Sequence, residues 1–148
     1  MPQTFSDGKN IYCVDMMHAF INIFKPKITR LNVSDLVIQL EMSSWGNPLD
    51  KNFYSPLDVL DNPEMYSKDM QRINRANLSY PIIIYDGDIV DGLHRLTKAK
   101  LINKKTINVY IFSKELMDKF IIDDGGNWNG LKNLKMHDYI QLFYQRFT

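Results

Sequence analysis

The chain has 148 residues, is 45% hydrophobic and 24% charged, and carries a formal net charge of +1. That length suits one domain spanning the whole chain, with a core over about 28–122 and a helix at 131–147; the charge gives no global attraction to nucleic acid or to a membrane. Cys13 is the only cysteine, which excludes an intrachain disulfide and a cysteine zinc cluster, and with no secretory or membrane-length apolar run the expectation is a soluble, cytoplasmic protein without a membrane partner.

Residues 1–10 are polar and read as a loose start. Over 11–24, Val14, Met17, Ile21 and Phe24 fall on one helical face, and Lys25-Pro26 closes the segment. Residues 28–38 read as a short strand followed by a helical turn opening at Ser34-Asp35. Residues 43–53 read as a loop, because Gly46, Asn47 and Pro48 crowd together. Ser55-Pro56-Leu57-Asp58 is a helix start: serine caps, proline suits the first helical position, and Asp58 completes a capping box. Asn62-Pro63 restarts a helix to about residue 77, with Tyr66, Met70 and Ile73 on its buried face.

Residues 80–85 predict a strand, Asp86-Gly87 a two-residue hairpin turn, and 88–90 the returning strand. A helix follows over about 94–102. In 106–112, Ile107, Val109 and Ile111 alternate with Asn108 and Tyr110, the pattern of a half-buried strand. Ser113 caps a helix holding Leu116, Met117, Phe120 and Ile121. Residues 123–130, with three glycines and two asparagines, read as a linker. The last helix carries Met136, Ile140, Phe143 and Phe147 in one stripe, flanked by Tyr139 and Leu142. It packs on the sheet, or alternatively makes a dimer contact.

Chemistry concentrates in Asp91-Gly92-Leu93-His94-Arg95, where a strand turns into a helix. A helix start leaves backbone N–H groups unpaired at the positive end of the dipole. Gly92 admits close approach of a ligand to the backbone. His94 and Arg95 add donors, and the arginine fork matches two phosphate oxygens. A cation in a first helical turn costs roughly 0.3–1 kcal/mol, so Arg95 fits better with an anion beside it. Lys98, one turn on, could join the patch. The plain structural reading makes Asp91 a helix cap, Gly92 a turn residue, and His94 and Arg95 surface charges.

With its flanks, Leu78-Ser79-Tyr80-Pro81-Ile82-Ile83-Ile84-Tyr85 to the strand ending at Phe112, this motif resembles the ParB/sulfiredoxin superfamily. The shared pattern is a Pro-Ile strand, a short hairpin, Gly-x-His-Arg or Gly-x-Arg-Arg, a helix with alanine, then a strand. Leu31-Asn32-Val33-Ser34-Asp35-Leu36 resembles the superfamily's first strand. The resemblance implies an α/β fold, a small mixed sheet with helices around it, extended here by N- and C-terminal helices. It implies that Gly92, His94 and Arg95 clamp nucleotide phosphates, as in CTP-binding ParB partition proteins, ATP-using sulfiredoxin and nucleotide-dependent free-serine kinases. In this fold a helix beside the nucleotide would carry Arg72 and Arg75 toward it; the plain reading makes both surface arginines.

Leu93 stands where sulfiredoxin has its catalytic cysteine, which argues against sulfinic acid reduction. A partition ParB carries a helix-turn-helix domain after this core, whereas 36 residues follow Phe112 here and end in one aromatic helix, so a full DNA-loading clamp is not expected. Asp-Gly-x-His-Arg is closest to the kinase-like and small stand-alone members. A phosphotransferase needs a base near the acceptor hydroxyl, and Glu41 and Asp91 are the candidates, Glu41 having a solvated helix position as its plain reading. Mg²⁺ would ride on the phosphates with few protein ligands, and no dense carboxylate motif assigns metal residues.

The expected function is therefore binding of a nucleotide, ATP/ADP or CTP with Mg²⁺, extending to phosphoryl transfer onto a small hydroxyl compound such as serine, or to NTP hydrolysis. The first alternative is a non-enzymatic, nucleotide-responsive module contacting DNA or protein. The second is a ParB-like nuclease, for which the necessary carboxylate cluster is not visible. His18, His137, Asp123-Asp124 and Lys104-Lys105 read as packed or solvated residues. Trp45 and Trp128 either stack on a base or anchor their loops.

Overall fold

A computed structural model describes residues 2–47, 49, 51–123 and 135–148. The chain is mixed α/β, and its contacts gather into two compact units, Ile28–Ile111 and Met1–Lys27 with Phe112–Thr148. Among the described residues no helix is long and apolar enough to cross a membrane.

The Ile28–Ile111 unit holds a four-stranded sheet. Its strands are β3 (Thr29–Asn32), β6 (Ile82–Tyr85), β7 (Asp88–Asp91) and β8 (Thr106–Ile111), in the order β3-β8-β6-β7. β3 and β7 run antiparallel to their neighbours, while β6 and β8 are parallel, with Ile82 opposite Val109. Ile82, Ile83 and Ile84 are all buried, as expected of an inner strand covered on both faces. A core of Val33, Leu36, Leu40, Ile82, Ile84, Leu96, Ala99, Ile107 and Val109 lies against the helix α5 (Leu93–Leu101).

Local signals explain several elements. Asp86 and Gly87 have φ of 50° and 81°, the pair of positive values a tight hairpin turn needs. The helix α3 (Pro56–Asp61) opens with the full capping box: Ser55 Oγ accepts from Asp58 N–H, and Asp58 accepts from Ser55 N–H at 2.8 Å. The strand β3 runs into a 3-10 turn, Val33–Asp35, and then the short helix α2 (Ile38–Glu41).

Three expectations are corrected here. Part of the expected loop 43–53 is a hairpin: β4 (Trp45–Asn47) pairs with β5 (Asn52–Tyr54), Trp45 opposite Tyr54. The helix restarted after Asn62 is α4 (Ser67–Arg75), with Tyr66 at its N-cap and Asp69 and Ile73 buried. Asp69 takes the inward position because two donors meet it there, as described below. In β8, Tyr110 is buried and Ile111 is 54% exposed, so strict alternation ends at Val109.

The other unit has its own antiparallel sheet, β1 (Thr4–Ser6), β2 (Ile11–Cys13) and β9 (Ile121–Asp123), in the order β1-β2-β9. Residues 1–10 therefore contain a strand, and of the segment 11–24 the first three residues are strand β2, the helix α1 (Val14–Phe24) starting at the first residue of its apolar stripe. The helix α6 (Lys114–Asp118) is capped by Ser113 Oγ at 3.2 Å from Leu116 N–H. The last helix, α7 (Met136–Phe147), buries Tyr139 and Phe143 and exposes Ile140 and Tyr144. Phe20, Phe112, Phe120 and Phe147 form a ring cluster with centroids 5.3–6.0 Å from Phe20. Asp124, Trp128 and the expected helix start at 131–134 lie outside the described residues.

Candidate functional site

The turn from β7 into α5 has Gly92 at its N-cap with φ 107°, a left-handed conformation that favours glycine. A Cβ there would lie 2.5 Å from Ile82 Cγ2 and 2.9 Å from Arg95 Nη2. The glycine is thus required by backbone conformation and by packing on β6. The helix N-terminus has no side-chain cap and no acidic residue in its first turn. Leu96 N–H makes the first helical bond, to Gly92 O at 2.9 Å. The preceding N–H groups of Leu93, His94 and Arg95 are the donors a helix start offers to an anion.

Arg95 is engaged within the protein. Its Nη2 donates to Asp91 Oδ2 at 3.1 Å, and its Nη1 donates to the carbonyls of Pro81 at 3.1 Å and Tyr80 at 3.3 Å. The guanidinium joins the entrance of β6 to the end of β7, and its side chain is 16% exposed. Lys98 Nζ donates to the carbonyls of Asn74 (2.9 Å) and Ala76 (2.7 Å), closing the end of α4. It serves the last carbonyls of a helix, where a cation also suits the dipole.

His94 is held on two sides. Its Nε2 lies 3.2 Å from Asp69 Oδ1, and its ring stacks on Trp45, with centroids 4.4 Å apart and planes 18° apart. Asp69 Oδ2 accepts from the Tyr54 hydroxyl. A carboxylate with two acceptor oxygens meets two donors, so the proton of a neutral His94 sits on Nε2 and Nδ1 carries the lone pair. Tyr54 stacks on Tyr66 at 4.2 Å and meets Trp45 edge-on at 6.3 Å. The hydrogen bond to Asp69, then burial, then the Asp69 charge push the Tyr54 hydroxyl up to about 12.

A cavity of about 270 Å³ opens beside this group, lined by Tyr54, Met65, Tyr66, Ser67, Lys68 and Asp69. Arg72 is exposed on α4, and its charge opposes the rise at Tyr54. Arg75 is also exposed and has no ion pair among the described residues. Glu41 is exposed at the end of α2 and makes no described contact with the turn.

The structure thus brings together Asp91, Gly92, His94 and Arg95, and gives Lys98 a separate task at α4. Sequence reasoning missed Asp69, Tyr54 and Tyr66. Asp69 stands 25 residues before His94, and no local pattern joins them; an acid on the apolar face of a helix is the signal that could have singled it out. Trp45 is both an anchor of its hairpin and a wall for His94. Among the described residues no three His, Cys, Asp or Glu side chains form a metal-binding group. Comparison with protein-family models, with curated proteins and with solved structures gave no match.

Proposed function

We propose that the Ile28–Ile111 unit binds a nucleotide through its phosphates at the turn 91–95, in the manner of the ParB/sulfiredoxin superfamily that its motif resembles. The observation that carries this reading is the start of α5. Gly92 is left-handed and uncapped, no acid sits in the first turn, and the side chains of His94 and Arg95 are fixed by neighbours. Phosphate oxygens would take the N–H groups of Leu93, His94 and Arg95, with the dipole in their favour. Preorganisation of His94 between Asp69 and Trp45 lowers the cost of ordering it on binding. Mg²⁺, carried on the phosphates, would supply charge neutralisation and needs few protein ligands.

For phosphoryl transfer to a small hydroxyl compound such as serine, Glu41 is the base the family pattern offers, and Asp91, directly before the clamp, is the second candidate. Asp91 is ion-paired with Arg95, and Glu41 is solvent-exposed. Those two placements favour, as the second reading, a nucleotide-responsive binding module without turnover.

Thermal shift of the full chain against ATP, ADP and CTP, each with Mg²⁺, tests the binding. Specific binding raises Tm by mass action, by an amount that grows with ligand concentration. Failure of every nucleotide and of inorganic phosphate to raise Tm overturns the proposal. Phosphate release with and without serine separates the two readings: serine-stimulated turnover identifies the enzyme, and binding without turnover the module.

A further inference from the structure

The opposite end of α5 carries a second basic feature. After Leu101 the chain turns through Asn103 at φ 57°, with Asn103 N–H on Lys100 O at 3.1 Å and Lys104 N–H on Ala99 O at 2.9 Å. Val33 N–H then fixes Lys105 O at 2.9 Å. These bonds hold a concavity of about 400 Å³ lined by Asn32, Val33, Ser34, Val37, Lys100, Asn103, Lys104 and Lys105.

Every charge in that lining is positive. Lys100, Lys104 and Lys105 are exposed, and none pairs with a carboxylate among the described residues, whose ion pairs lie elsewhere. In a chain of net charge +1, three unpaired lysines around one hollow mark a segregated patch. A lysine at a helix C-terminus is ordinarily explained by the dipole, an effect confined to the last turn. That accounts for Lys100 and leaves Lys104 and Lys105 unexplained. Asn32, Ser34 and Asn103 add neutral hydrogen-bonding groups to the same wall.

We propose that this hollow binds the phosphate backbone of duplex nucleic acid without reading its sequence. Three lysines supply charge to phosphate oxygens, and Ser34, Asn32 and Asn103 supply short-range hydrogen bonds, the usual division of a backbone-positioning contact. The lining holds no aromatic ring on which an unpaired base could stack, the feature that single-strand sites rely on. It is concave and rimmed by three lysines, whereas a membrane-docking face presents protruding apolar side chains. Because Gly92 and this hollow stand at opposite ends of α5, the inference does not rest on the nucleotide reading.

The test is fluorescence anisotropy of a labelled duplex of about 20 base pairs with the full chain, across about 50 to 200 mM salt. Three phosphate contacts give a slope of log K against log salt of about −2.7, so affinity falls about 40-fold over that range. Lys100→Gln, Lys104→Gln and Lys105→Gln together should abolish binding while leaving the circular dichroism spectrum unchanged. Lys104→Gln alone should reduce the slope by about one. The proposal is overturned by no duplex binding at about 50 mM salt, or by duplex binding that the triple variant retains. It is equally overturned if single strands or anionic phosphatidylserine vesicles bind and the duplex does not.

Discussion

His94 Nε2 faces Asp69 Oδ1 at 3.2 Å, tying the first turn of α5 to the first turn of α4. The other oxygen of Asp69 accepts from Tyr54, so one carboxylate gathers a helix start, a helix face and a hairpin strand. Asp69 is 9% exposed and its two donors are half-buried, and hydrogen bonds to a charged acceptor contribute more than neutral ones.

Asp69→Ala removes the acceptor from both Tyr54 and His94. Stability should fall by about 1–3 kcal/mol, read as a lower midpoint in urea denaturation. Nitrogen NMR of the histidines checks the underlying geometry. In the wild type, neutral His94 should carry its proton on Nε2; a proton on Nδ1 would contradict the assignment.

Tyr54 gives a pH signature at the alkaline end. Its hydroxyl is pushed up to about 12 in the folded chain, against an ordinary value of about 10. The folded state therefore holds a proton that the unfolded state releases. The associated stability is complete below pH about 10 and is lost as pH rises toward about 12. The stability difference between wild type and Tyr54→Phe should be flat below pH about 10 and shrink above it. A difference that grows in that window would reverse the sign and refute the Tyr54–Asp69 pairing.

Gly92→Ala places a methyl 2.5 Å from Ile82 Cγ2 at a φ of 107°. Ala at positive φ is destabilising by more than about 1 kcal/mol even without a clash. A lower Tm is expected in the absence of any ligand, with Gly87→Ala, where a Cβ meets nothing within 4 Å, as the comparison for backbone strain alone. Gly92→Ala should be the more severe of the two.

Arg95→Ala should lower stability, because the guanidinium braces the 91–95 turn, and, under the proposed function, should lower nucleotide affinity as well. Arg95→Lys keeps the charge but cannot span Asp91 and two carbonyls with one ammonium. Its Tm should fall close to that of Arg95→Ala. Full retention of Tm in the lysine variant would reduce Arg95 to a surface charge.

What could be read from the sequence was local. Asp86-Gly87, the Ser55 capping box and the Ser113 cap each involve neighbours within a few residues, and each signals its own geometry. The turn 91–95 was legible for the same reason. Pairings between distant segments were not. Thr4–Ser6 is a strand because Ile11–Cys13 lies beside it, and Trp45–Asn47 because Asn52–Tyr54 returns along it. Asp69 carries no local signal of its role, because its partners Tyr54 and His94 come from 15 and 25 residues away. Arg95 and Lys98 were read as cations awaiting an anion; their backbone partners lie 14 to 24 residues away, beyond the reach of any spacing rule.

Among the described residues the β4–β5 hairpin pairs with no third strand, and two strands alone are marginal in water. Its docking rests on Trp45 against His94 and on Tyr54 against Asp69 and Tyr66. Amide exchange at Trp45–Asn47 and Asn52–Tyr54 should accordingly proceed by a small local opening that leaves the four-stranded sheet intact. One of the contacts that this opening breaks is with the same imidazole that flanks the α5 N-terminus. A molecule that grips His94 in place slows the exchange of the hairpin, and one that draws it away quickens it, so the hairpin reports on the turn without touching the ligand.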